Sequence, residues 1–136
     1  MAGSELPPSA APRPPQPLVL VVDDEQVVRD ILQRHLSAQG YEVLLAESGE
    51  QALQQVRSVQ VGLILLDLQM PGMGGLECLK ALLAADPSLR VIMLTGVGDD
   101  EIATRALHLG ARDYFLKPVD LEILKKALKV HFIYSA

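Results

Sequence analysis

Five side chains in this sequence could together handle a phosphoryl group: the carboxylates of Asp23, Asp24 and Asp67, the hydroxyl of Thr95 and the ammonium of Lys117. Each stands at the end of a short aliphatic stretch. LVLVV precedes the acid pair, VGLILL precedes Asp67, VIML precedes Thr95 and DYFL precedes Lys117. Three carboxylates held close repel one another, and unless compensated at least one has its pKa raised. A hard divalent cation would neutralise them; Mg²⁺ takes one or two carboxylates, several waters and phosphate oxygens. Lys117 brings one further positive charge and Thr95 a hydrogen-bond donor, both suited to negative charge developing on a phosphoryl group. Asp67, alone at the end of its run, is the candidate nucleophile, since aspartate carboxylates form acyl-phosphate intermediates. Taken singly, each residue has a plainer reading: an Asp after a strand is ordinarily a helix N-cap, and Lys-Pro is ordinarily a turn. Their joint placement at successive strand ends makes coincidence a poor explanation.

The elements that must position them follow from the hydrophobic pattern. Strands are expected at Leu18–Val22, Tyr41–Ala46, Val61–Leu66, Val91–Thr95 and Asp113–Leu116. Between them, apolar residues recur at helical spacing. Val27, Val28, Ile31, Leu32 and Leu36 form the first such face, stopped by Gly40; Ser48 and Gln51 fit a capping box that opens the second. Leu76, Leu79, Leu82 and Leu83 mark the third, Asp99–Leu109 with Gly110 the fourth, and Asp120 caps a fifth carrying Leu121, Leu124 and Leu128. Five strands alternating with five helices predict an α/β fold: a five-stranded parallel sheet, doubly wound, with helices on both faces. The first, third and fourth strands are continuously aliphatic, as strands buried on both faces should be. In such sheets ligands bind beyond the carboxyl ends of the strands, which is where the five residues fall.

The chain has 136 residues, enough for one domain, and 49% are hydrophobic. Aromatics are 4% with no Trp, so the core must be aliphatic. A net charge of −5 argues against a nucleic-acid surface, and no apolar run approaches the roughly 18–20 residues of a membrane span. The one cysteine, Cys78, excludes an internal disulfide framework and reads as a structural thiol. His35, His108 and His131 lie singly on helices, and the glycines around Pro71 form no Walker loop. Residues 1–17 carry six of the nine prolines and are expected to be a disordered Pro-rich tail, with the domain spanning 18–136.

LVLVVDDE at 18–25, LILLDLQMPGMGGLE at 63–77, VIMLTG at 91–96 and GARDYFLKP at 110–118 stand in an order and spacing that resemble the receiver domain of two-component response regulators. The likeness runs from Leu18 to the C-terminus. It implies a flavodoxin-like strand order 2-1-3-4-5 and a phosphoacceptor switch, not an enzyme acting on an external substrate. Asp67 would accept phosphate from a sensor histidine kinase or phosphotransfer protein. Asp24, Asp67 and the backbone carbonyl of Gln69 would bind Mg²⁺, with Asp23 holding a metal-bound water. Lys117 would contact the phosphoryl oxygens, Thr95 would swing to hydrogen-bond them, and Tyr114 would turn inward as Thr95 moves. The peptide before Pro118 would be cis. The resemblance further implies a cytoplasmic protein without membrane contact. An output domain beyond residue 136 or a separate effector would read the face made by the fourth helix, fifth strand and fifth helix. That face could also form a homodimer.

Three local features depart from the pattern. Gly74-Gly75 stands where the family often has Asp-Gly, a change expected to affect only loop stiffness. Gln69, two residues after the acceptor, is long and polar enough to steer a hydrolytic water. The closing HFIYSA is more apolar than the exposed end of a last helix, and is expected to pack on a partner or a further domain. Glu25 reads as an exposed first-turn acid favoured by the helix dipole, and Met70 and Met73 as loop packing. Two other chemistries compete. An aspartate-nucleophile phosphohydrolase of the haloacid-dehalogenase type would want D-x-D after its first strand and a cap domain. A flavin carrier would want a hydroxyl-rich loop where this chain has two carboxylates.

Overall fold

The computed structural model describes residues 18–133. The aliphatic runs form β1 (Leu18–Val22), β2 (Glu42–Ala46), β3 (Leu63–Asp67), β4 (Val91–Thr95) and β5 (Asp113–Leu116). Between and after them lie α1 (Gln26–Ala38), α2 (Gly49–Ser58), α3 (Gly75–Ala85), α4 (Asp100–Leu109) and α5 (Leu121–Ile133). Every strand pairing is parallel and the order is β2-β1-β3-β4-β5, the doubly wound, flavodoxin-like sheet. Winding reverses between β1 and β3, which opens a crevice beyond their carboxyl ends.

Successive strand side chains point to opposite faces, so each central strand feeds two cores. Leu20, Val22, Ile64, Leu66, Val91 and Met93 pack with Ala52, Cys78, Leu79, Leu82 and Ala106 on the side of α2, α3 and α4. Val19, Val21, Leu63, Leu65, Ile92 and Leu94 pack with Leu32, Leu36, Leu124 and Leu128 on the side of α1 and α5. β1, β3 and β4 are buried nearly throughout, whereas β5, at the sheet edge, alternates between half-buried and exposed. Cys78 belongs to the first core, with its thiol pushed up to about 12 by burial and by the Glu50 and Glu77 carboxylates. Met70 and Met73 pack at the margin of that core, as the sequence suggested.

Boundaries shift where hydrogen bonds outweigh composition. Tyr41 is outside β2; its N–H donates to Leu36 O (3.2 Å) and finishes the end of α1. β3 starts two residues later than expected and takes in Asp67, which pairs in register with Leu94. The acceptor candidate is therefore fixed within the ladder, not dangling after it. α4 begins at Asp100, leaving Asp99 at the N-cap position. Gly110 closes α4 with φ +121°, where any Cβ would also strike Leu83 Cδ1 at 2.8 Å. The Ser48 hydroxyl caps Gln51 N (3.1 Å) while Gln51 Oε1 accepts from Glu47 N (2.9 Å), a capping box displaced by one residue. Asp120 caps α5 through Glu122 N and Ile123 N.

The C-terminal apolar run needs a correction. Phe132 packs within the domain: its ring lies 5.4 Å from that of Tyr41, and a Cβ on Gly62 would meet it at 2.9 Å. Aromatic surface at the end of α5 is thus used within the domain, against Tyr41 and the turn into β3. The tail expected over residues 1–17, and residues 134–136, lie outside the described residues.

Candidate functional site

β1 and β3 lie side by side, so their carboxyl ends bring Asp23, Asp24 and Asp67 to one place. One oxygen from each lies within 4.8 Å of the others. Asp23 is fully buried and Asp67 is 3% exposed, while Asp24 faces solvent. Asp23 is held from three directions. Its N–H donates to Ala46 O (3.1 Å), its carbonyl accepts from Arg29 Nη1 (2.7 Å), and its Oδ1 accepts from Glu25 N (2.9 Å). Glu25, expected in the first turn of α1, takes its N-cap position without a side-chain cap bond, and the aspartate capping that the sequence admitted does not occur there.

β5 carries Lys117 to the same cluster. Its N–H extends the ladder onto Thr95 O (2.7 Å), and the Lys117–Pro118 peptide is cis, as the resemblance implied. The ammonium stands 2.8 Å from Asp23 Oδ2, 3.2 Å from Glu25 Oε1 and 3.3 Å from Asp67 Oδ1. An ammonium has three donors, and three carboxylates face it. Asp23 Oδ2 meets it as an ion pair, and no donor is aligned on that oxygen as a hydrogen bond. Three carboxylates with one oxygen each within 4.8 Å of the others, two of them buried, are the donor set of a hard divalent cation. Mg²⁺ fits the residues present.

The electrostatics follow from burial and crowding together. Burial, and then the Asp23 charge, raise the Asp67 carboxyl to about 7, against the opposing pull of Lys117 and the Gln69 N–H. Burial works against the Lys117 charge, but the Asp23, Asp67 and Glu25 carboxylates outweigh it and hold its pKa above the ordinary lysine value. Asp67 is thus the acid in the cluster that keeps its proton more tightly, through burial first and the expected repulsion from a neighbouring carboxylate second.

Thr95 closes β4, is 2% exposed, and its hydroxyl donates to Phe115 O at 3.4 Å, toward β5. Tyr114 is 38% exposed on β5. Gln69 is exposed; its N–H donates to Asp67 Oδ1 (3.3 Å), and its side-chain amide donates across to Asp99 Oδ1 (2.9 Å). Gly75 supports this loop by close approach, since a Cβ there would lie 2.5 Å from Leu68 Cα and 2.6 Å from Asp67 O. A cavity of about 150 Å³ opens beside the site between α1 and the start of α5, lined by Val28, Ile31, Leu32, Lys117, Pro118, Val119 and Leu121. Its walls are apolar apart from Lys117, so it lacks the converging polar groups that fix a small ligand.

Sequence reasoning missed three contributors. Arg29 grips the Asp23 carbonyl and reaches Glu47 Oε2 at 3.8 Å. Glu25 is a partner of Lys117 as well as an acid near a helix start. Asp99 joins two loops over the site. Only Glu25 carried a signal, its adjacency to the acid pair.

Residues 19–129 match the response regulator receiver domain family. The transcriptional regulatory protein ZraR of Escherichia coli (strain K12) is 42% identical over 111 residues, covering 82% of this chain and 25% of that protein. The sporulation initiation phosphotransferase F of Bacillus subtilis (strain 168) is 36% identical over 111 residues, covering 82% of this chain and 90% of that protein. This chain thus spans about a quarter of the first relative and most of the second. The crystal structure of the NtrX receiver domain from Brucella abortus aligns with a TM-score of 0.82 at 31% identity, over 85% of this chain and 98% of that one. A CheY-like receiver domain protein from Methanospirillum hungatei JF-1 aligns with a TM-score of 0.84 at 29% identity, over 88% and 96%. A flavin carrier shares this sheet order but would need hydroxyls where Asp23 and Asp24 follow β1, and the acceptor-strand motif is not the D-x-D of the phosphohydrolase rival. With residues 19–129 matched, the chain belongs to the receiver domain family of two-component response regulators.

Proposed function

We propose that the chain is a phosphoacceptor switch in which Asp67 takes a phosphoryl group from the phosphohistidine of a sensor histidine kinase or phosphotransfer protein. An Asp67 oxygen attacks phosphorus, a P–O bond forms as the P–N bond breaks, and the imidazole leaves with the electron pair. Asp24, Asp67 and the backbone carbonyl of Gln69 would hold Mg²⁺, with Asp23 beside them as a partner for a bound water. When bound, the cation screens the carboxylates from one another and neutralises charge on the transferred group. Lys117 contributes a second positive charge beside Asp67 and retains a partner in Asp23 while it contacts the phosphoryl oxygens.

Thr95 and Tyr114 carry the response. An acyl phosphate at Asp67 adds charge and acceptor oxygens, which draws the Thr95 hydroxyl from the Phe115 carbonyl and makes room for the Tyr114 ring. The face of α4, β5 and α5 changes with them and is read by an output domain or a separate effector, or forms a homodimer. The switch is not an enzyme toward other molecules; its own phosphorylation and dephosphorylation are its only chemistry. Residues 18–136 form the receiver unit in this reading, and residues 1–17 a proline-rich tail.

One observation carries the proposal: a buried carboxylate, Asp67, stands within 4.8 Å of two others and 3.3 Å from a lysine ammonium. The test is labelling with acetyl phosphate and Mg²⁺. The wild type gains acid-labile phosphate and Asp67→Asn gains none; undiminished label in the variant refutes the site.

A further inference from the structure

Asp99 occupies the N-cap position of α4, where an aspartate ordinarily accepts from the N–H of the second or third helical residue. Its side chain makes no such bond. Both oxygens are engaged elsewhere. Oδ2 accepts from Gly96 N (3.0 Å), and Oδ1 accepts from Gln69 Nε2 (2.9 Å), thirty positions away in the chain. Gly96 directly follows Thr95, and the Gln69 N–H donates to Asp67 Oδ1. One carboxylate therefore ties the loop after the acceptor strand to the loop after the threonine strand.

The chemistry at stake is hydrolysis of the acyl phosphate. A water oxygen bonds to phosphorus as the P–O bond to Asp67 breaks, giving the free carboxylate, inorganic phosphate and a proton taken up by phosphate or solvent. The step needs a water held in line with the breaking bond. A glutamine amide two residues from the acceptor has both a donor and an acceptor with which to orient that water. Here the NH₂ is committed to a charged partner, and charge-assisted hydrogen bonds are the stronger class.

We propose that Asp99 is a positioning residue that holds the Gln69 amide against α4, away from a phosphorylated Asp67, and so lengthens the lifetime of the aspartyl phosphate. This rests on the reading of Asp67 as phosphoacceptor and adds a brake on its reversal. Because the capping bond is absent from the start, removing the Asp99 side chain takes little from the helix itself.

The experiment loads the full 136-residue chain with acetyl phosphate and Mg²⁺, removes the donor, and follows acid-labile phosphate with time. Asp99→Ala shortens the lifetime about 3–10-fold, the scale of one hydrogen bond withheld. Asp99→Ser, whose single oxygen serves Gly96 but does not span to Gln69, does the same and guards against misfolding of the alanine variant. In a Gln69→Ala background, Asp99→Ala adds nothing, which a merely structural role would not produce. In the unphosphorylated protein, the Gln69 side-chain amide signals move on Asp99→Ala. Unchanged lifetimes in both Asp99 variants, acceleration that persists without Gln69, or unmoved amide signals overturn the proposal while leaving Asp67 as acceptor. A wild type that takes no label overturns the Asp67 reading and this proposal with it.

Discussion

The Lys117 ammonium sits 2.8 Å from Asp23 Oδ2, and that carboxylate is completely shielded from solvent. Removing one member of a buried pair leaves the other charge uncompensated, which costs about 3–5 kcal/mol. Lys117→Met keeps an aliphatic stem beside Val28 and Val119 in the cavity wall but deletes the charge. The metal-free variant should lose about 2–4 kcal/mol of stability, somewhat less than for a fully buried pair because the Lys117 side chain is 19% exposed. Millimolar Mg²⁺ should restore more stability to the variant than it adds to the wild type, since the cation replaces the missing positive charge. Urea unfolding with and without Mg²⁺ measures both; equal Mg²⁺ increments in the two proteins would defeat this account of the cluster.

Asp67 gives the domain an unusual pH dependence. Its folded-state pKa, about 7, exceeds the ordinary aspartate value, so between about pH 4 and 7 the folded chain holds a proton that the unfolded chain has released. Stability from this group is thus fully present below the unfolded pKa and is lost as pH rises through the folded one. In metal-free protein the loss between pH 4 and 8 should be about 2–4 kcal/mol, as each tenfold change in proton affinity is worth about 1.4 kcal/mol. Asp67→Asn should lack that part of the slope and be the more stable protein at pH 8. Mg²⁺ competes with the proton, so its affinity should fall about tenfold for each pH step of one below 7. Parallel stability profiles for wild type and variant would contradict the raised pKa.

Asp23, Asp67, Thr95 and Lys117 are legible in the sequence for one physical reason. A strand buried on both faces is an unbroken aliphatic run, so its first polar residue marks the sheet edge where ligands bind. The strand order does not follow from that rule, because alternation alone leaves several arrangements open; it comes with the family resemblance. Glu25 and Asp99 escape local pattern because their partners stand 92 and 30 residues away; beyond a helix start, the sequence offers only the adjacency of Glu25 to the acid pair. Arg29 is invisible for another reason: it binds a backbone carbonyl, and every residue has one. Phe132 resembles a docking surface because its intramolecular partner, Tyr41, belongs to a turn whose packing no periodicity describes.

Gly74 and Gly75 adjoin in sequence but should respond oppositely to substitution. At Gly75 a new Cβ would press on three backbone atoms of Asp67 and Leu68 at 2.5–2.6 Å, none of which belongs to a flexible side chain. Gly75→Ala should therefore cost about 2–3 kcal/mol, the upper range for overpacking, and slow labelling of Asp67 by displacing its loop. Gly74 is the N-cap of α3, with φ −73°, no cap bond and open space around its Cβ. Gly74→Asp should stabilise the fold by about 0.5–1 kcal/mol through a cap bond and a less flexible unfolded chain. The exchange thus concerns a missing cap as well as loop stiffness. Thermal unfolding of the two variants decides, and a destabilised Gly74→Asp would remove the capping argument.

Thr95 tests whether the acceptor and the outer face communicate. Its hydroxyl rests on the Phe115 carbonyl at 3.4 Å, a long contact that a better acceptor can displace, and Tyr114 on the neighbouring strand remains partly exposed. Beryllofluoride with Mg²⁺ mimics a phosphoryl group bound to a carboxylate. Its addition should shift the Thr95 methyl and the Tyr114 ring resonances together, with Tyr114 becoming less accessible to a soluble spin probe. Thr95→Val preserves shape while removing the donor, so it should still bind beryllofluoride but leave Tyr114 unmoved. If Tyr114 responds equally in Thr95→Val, the hydroxyl is not the link between Asp67 and β5. If neither residue responds in the wild type, the switch through this face is wrong, whether or not Asp67 takes label.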